Sequence, residues 1–121
     1  MNQLAAMCLS IAIEAPVALA LRTWWDADAR TRREIGRVLG VAAGATMLTH
    51  PMAWWLNTSG LRALTFGPRA AIIEGLVWAV ETVVYARVLP LPWGRALLVS
   101  GLANGLSFGV GLALWYSGLM R

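Results

Sequence analysis

An all-α membrane protein with four transmembrane helices in an up-down bundle is the fold class that this sequence predicts, on three observations. Of its 121 residues, 59% are hydrophobic and 13% are charged, roughly half the charged share of a soluble domain. Long apolar stretches recur at about 4–21, 38–56, 70–89 and 96–116. Each approaches the roughly 20 residues that a helix needs to cross the hydrocarbon of a bilayer. Third, the ten basic residues are all Arg, and Arg22, Arg30, Arg32, Arg33 and Arg37 crowd the first connection, whereas the second holds only Arg62 and Arg69. By the positive-inside rule that first loop is cytoplasmic, which puts both termini outside. Four spans use almost the whole chain, so residues 1–121 form a single domain, a multi-pass protein of a bacterial-type inner (plasma) membrane.

The first stretch carries Glu14 and Pro16. "ALAL" at 18–21 contains an A-x-A pattern, yet no basic residue precedes the apolar run and Glu14 interrupts it, so a span is predicted and not a secretory signal. The loop that follows balances its Arg residues with Asp26, Asp28 and Glu34. That mixture suits lipid headgroups and water, and no nucleic-acid partner is predicted despite the net charge of +4. The lone Cys8 excludes an internal disulfide and fits no metal-binding cysteine spacing.

The second stretch opens on Gly36, Gly40 and Gly44 and closes on Thr46, Thr49, His50 and Pro51. The fourth repeats the glycine spacing at Gly101, Gly105 and Gly109. Such stripes flatten a helix face so that backbones can approach, which predicts helix packing and a homo-oligomer or a larger membrane complex around the chain. Pro16 and Pro51 each free a carbonyl four residues earlier, at Ala12 and Met47, and predict kinks beside polar groups. The pairs Trp24-Trp25 and Trp54-Trp55, with Trp93 and Trp115, fall at span ends as interfacial anchors; Trp78 does not.

The third stretch, "IEGLVWAVETVVYARVL", holds Glu74 and Glu81. Two helical turns separate them, about 10 Å along one face, and Tyr85 continues that face. A charge at the bilayer centre costs about 2.5–3.5 kcal/mol or more, so such groups normally meet a partner or water. The short connection "VLPLPWGR" makes spans three and four antiparallel neighbours.

With both termini on one side, depth along each helix can be compared at about 1.5 Å per residue. Glu14, Glu81 and Asn104 fall at one level; His50 and Glu74 share another, nearer the outside. Ala6, Ser10 and Glu14 share a face of the first span, Ala43, Met47 and His50 of the second, and Ser100, Asn104, Ser107 and Gly111 of the fourth. One polar seam through the bundle is expected. Its leading functional reading is a proton or cation path through Glu14, Glu81, Glu74, His50 and Asn104, with Ser10, Thr46, Thr49, Tyr85 and Ser107 as secondary lining.

Two alternatives stay open. The same groups can be packing glue in a non-catalytic accessory or structural subunit. They can also hold a divalent metal, at Glu14 and Glu81 or at His50 and Glu74, although no cofactor is predicted. Enzyme chemistry has little support: no HExxH, P-loop or GxGxxG occurs. "GLSFG" matches G-x-S-x-G, but Ser107 falls mid-helix and not on a strand-to-helix turn.

In length, span count and the acid of the first helix, Glu14, the chain resembles the small multidrug-resistance transporters. That resemblance implies an acid shared by protons and cationic drugs in a dimer. The two further acids of the third span depart from that pattern, and no other motif of the family is present.

Overall fold

A computed structural model describes residues 2–119. Within them the chain forms four long helices and no strand: α1 (Gln3–Trp25), α2 (Arg32–Trp55), α3 (Phe66–Val88) and α4 (Trp93–Tyr116). Each helix packs against its sequence neighbour, and α1 also packs against α4, which closes the four into a square up-down bundle. The ends are set locally. Asn2 Oδ1 accepts from Ala5 N at 2.8 Å and caps α1, and Thr31 Oγ1 accepts from Glu34 N at 3.3 Å and caps α2. Asp26 ends α1 and accepts from Asp28 N, turning the chain through a short 3₁₀ segment, Ala27–Arg30. α2 runs on into a five-residue π turn, Leu56–Gly60.

The helices outrun the apolar stretches, because Arg22 at the end of α1 and Arg32, Arg33 and Arg37 at the start of α2 lie on helical turns. Several Arg residues make specific contacts at that end of the bundle. Arg22 pairs with Asp26 at 2.9 Å, Arg37 Nη2 donates to the Val88 carbonyl at 2.6 Å, and Arg95 and Arg87 lie over the rings of Trp25 and Trp93. The guanidinium of Arg22, with the Asp28 N–H, holds the Asp26 carboxyl below the ordinary Asp range. Pro16 and Pro51 both sit inside continuous helices.

Two helices, α1 and α4, are long and apolar enough to cross a membrane. α3 interrupts its apolar run with Glu74, Glu81 and Arg87, and α2 dilutes its own with Gly, Thr, His50 and Pro51, so the four-span expectation is met by four helices but, among the described residues, by two spans of that apolarity. The glycine stripes behave differently from the expectation of close helix approach. Around Gly36, Gly40, Gly44, Gly105 and Gly109, an added Cβ would meet nothing within 4 Å, so within the monomer these glycines face away from neighbouring helices. Gly101 is the member of the two stripes that seats a neighbour: its Cβ would come within 3.2 Å of Trp78 Nε1. Trp78 explains its odd mid-helix position there, because Nε1 donates to the Leu97 carbonyl at 3.0 Å and clasps α3 to α4.

Candidate functional site

The bundle interior divides along its length. Toward the Arg-rich end it is apolar: Ala18, Val38, Ala42, Tyr85, Leu89, Ala96 and Val99 form a continuous buried cluster. Toward the end that holds the termini it is a cavity of about 320 Å³, with Glu14, Glu74, Glu81, His50, Asn104, Ser10, Thr46, Thr49 and Ser107 in its wall. Asn57 of the π turn, Phe66 and Leu112 stand at its mouth. Tyr85, expected as polar lining, belongs instead to the apolar cluster, where its ring fills the space left by the small side chains of Ala18, Ala42 and Ala96. The polar seam is therefore a vestibule with one open end.

Its floor is a hydrogen-bonded network contributed by all four helices. Thr46 Oγ1 on α2 lies 2.5 Å from Glu14 Oε2 on α1. One turn along α2, Thr49 Oγ1 lies 2.8 Å from Glu81 Oε1 on α3. Asn104 Nδ2 on α4 donates to Glu81 Oε2 at 2.6 Å and to the Ser100 carbonyl at 2.9 Å. Above this floor Ser107 Oγ meets Ser10 Oγ at 3.0 Å, joining α4 to α1. Glu14 and Glu81 are 4% and 1% exposed, so each of these contacts replaces water that the carboxyls have lost.

Counting protons gives the network its chemistry. A hydroxyl carries one proton, yet each Thr faces more than one acceptor. Thr46 Oγ1 is 3.1 Å from the Ala42 carbonyl as well as facing Glu14, and Thr49 Oγ1 is 3.0 Å from the Ala45 carbonyl as well as facing Glu81. A carbonyl can only accept. When the Thr proton goes to the carbonyl, the carboxyl contact persists only if the carboxyl is protonated and donates to the Thr oxygen. When the carboxyl is ionised, the Thr proton turns to it and leaves the carbonyl to its helical N–H. The site thus satisfies Glu14 and Glu81 in either protonation state through a single rotation of a hydroxyl.

His50 and Glu74 line the upper vestibule without a hydrogen bond to each other among the described residues. His50 packs on Trp54 at 6.3 Å between ring centroids, and its buried Nε2 has no partner among the described residues. Among the described residues no three His, Cys, Asp or Glu side chains come together as a metal set. Of the expected ligand pairs, Glu14 and Glu81 are engaged by Thr46, Thr49 and Asn104 of the neighbouring helices. Ser107 Oγ bonds to Ser10 Oγ, and among the described residues it makes no hydrogen bond to His50.

Several features lay outside the sequence reading. On α2, Met47 is 56% exposed and points outward, while Thr46 and Thr49 take the inward face assigned to it. The Thr hydroxyls meet the Ala42 and Ala45 carbonyls of their own helix, not the carbonyl freed by Pro51. Asn57, Phe66 and Phe108 reach the vestibule without a spacing signal in the sequence, since the π turn and the α3–α4 seam bring them there. Comparison with protein-family models, with curated proteins and with solved structures returned no match.

Proposed function

We propose that this chain is a four-span inner-membrane protein that binds and moves a proton or a small cation. The observation that carries this reading is an inverted distribution of polarity. Glu14, Glu81, Thr46, Thr49, Ser100 and Asn104 are buried, while large apolar side chains such as Leu48, Ile72, Leu76, Val83, Leu98, Leu102 and Leu106 are exposed on α2, α3 and α4. Water penalises both halves of that arrangement, whereas a lipid solvent favours it. Glu74 and Glu81 of α3 and His50 of α2, which lower the apolarity of those helices, then line the vestibule, as intramembrane ionisable groups do. The Arg-rich end is cytoplasmic and the vestibule opens to the outside.

Within that frame Glu14 and Glu81 are the protonatable pair, Thr46, Thr49 and Asn104 hold them, and His50 with Glu74 forms the entrance. Transport requires the apolar cluster around Tyr85 to part, so the structure corresponds to a state accessible from one side. In reconstituted liposomes, proton or cation flux is expected, and Glu14→Gln or Glu81→Gln abolishes it while size-exclusion behaviour stays unchanged. Flux that survives both substitutions overturns the pathway. A second reading, a subunit docked on a larger membrane complex or on a second copy, draws on the open glycine face Gly36, Gly40 and Gly44 of α2. Recovery of a lone, monodisperse chain after gentle solubilisation counts against it.

A further inference from the structure

Beside the vestibule lies a groove of about 700 Å³ between α3 and α4. It is overwhelmingly apolar, and glycines make its floor: Gly75, Gly101 and Gly105, with Ala70, Trp78 and Phe108 beside them. Along α3 it runs from Phe66 at the rim to Trp78, twelve residues or about 18 Å. One leaflet of a bilayer is about 15 Å thick in its hydrocarbon, half of the roughly 30 Å total. The groove therefore spans the leaflet on the side of the termini and stops near the midplane.

At the rim it meets a second hollow of about 460 Å³, which shares Phe66 and Leu112 with the groove and adds Asn57, Arg69, Trp115 and Tyr116. Arg69 has no acidic partner among the described residues, and its buried Nε has no hydrogen-bond acceptor among them. A guanidinium, an amide and a phenol at one place offer a set of donors in search of an anion, and phosphate oxygens match a guanidinium fork. Trp115 and Tyr116 suit the headgroup level that this hollow would occupy.

We propose that the α3–α4 groove and its rim form a binding site for one glycerophospholipid of the outer leaflet, with its phosphodiester on Arg69 and one acyl chain along the glycine floor. The proposal rests on the four-span reading. Glu74 and Asn104 line both the groove and the vestibule, so a seated chain becomes the missing wall between the vestibule and the mobile lipid. Diffusing acyl chains are then kept from the carboxyl level while the open end stays wet.

The test is native mass spectrometry of the full chain released from detergent after addition of dioleoylphosphatidylglycerol or of dioleoylglycerol, which lacks the phosphate. One phosphatidylglycerol per chain is expected to be retained, with dioleoylglycerol lost. Arg69→Gln removes a charge-assisted contact, and Gly105→Leu fills the groove at a position where an added Cβ meets nothing within 4 Å. Each is expected to reduce retention at least about tenfold, with size-exclusion profile and helix content unchanged. Retention that persists in either variant, or equal retention of dioleoylglycerol, overturns the site. A wild-type chain that stays in the carbonate-washed membrane pellet but holds no phospholipid sinks only this proposal; a chain recovered in the soluble fraction sinks the four-span reading with it.

Discussion

Glu81 is held from two sides, by Thr49 and Asn104, and the chemistry of these neighbours decides which substitutions it tolerates. A Gln at this position can accept from Asn104 Nδ2 through its carbonyl and donate from its amide to Thr49 Oγ1, while Thr49 donates to the Ala45 carbonyl. Glu81→Gln is therefore expected to leave thermal stability in detergent nearly unchanged. Glu81→Leu strands one N–H of the Asn104 amide, the other staying on the Ser100 carbonyl, and costs about 1–3 kcal/mol, read as a lowered melting temperature. Asp26 makes the opposite kind of contact, at the surface and on a charge. Arg22 holds its pKa below the ordinary value, so the pair stabilises the fold above that ordinary value and the contribution fades as pH falls through the lower, folded one. Asp26→Asn should lower the melting temperature at neutral pH, and the difference from wild type should disappear at acid pH once Asp26 is protonated.

Beside the apolar cluster, specific polar contacts join neighbouring helices. The α3–α4 pair depends on Trp78, whose indole spans the seam to the Leu97 carbonyl, while Ser100 Oγ donates back to the Trp78 carbonyl at 3.2 Å. Gly101 lies beneath that ring and a Cβ there would already be tight. Gly101→Leu is expected to displace the indole and destabilise the bundle by about 1–3 kcal/mol, whereas Gly40→Leu, where nothing lies within 4 Å, should leave monomer stability unchanged. Comparing the two unfolding transitions separates a packing glycine from one on an open face. The spacing of Gly101, Gly105 and Gly109 is the same as that of Gly36, Gly40 and Gly44, so periodicity marks the stripe without telling what covers it. Likewise, the spacing of Met47 and His50 put Met47 on the inward face, but the helix is rotated so that Thr46 and Thr49 point in. Three adjacent positions near the edge of a face differ by only about 100° each, and the partner helices choose among them.

For the whole molecule the arrangement of charge and apolar surface predicts an orientation. In a Cys8→Ser background, a membrane-impermeant maleimide applied to intact cells is expected to label Ser59→Cys in the exposed π turn and to spare Ala27→Cys until the membrane is permeabilised. The reverse pattern overturns the N-out arrangement. The sequence by itself determined four helices and their approximate limits, because apolar run length and short connections are properties of the chain alone. It also determined which depths carry ionisable groups, since a helix has a fixed rise. Only the tertiary structure decided that Glu14 and Glu81 are linked through Thr46 and Thr49 of α2, that Tyr85 closes the interior and does not line it, and that Asn57 and Phe66 stand at the mouth. Rise along an axis is written in the backbone, but rotation about it and the meeting of side chains from four helices arise from packing.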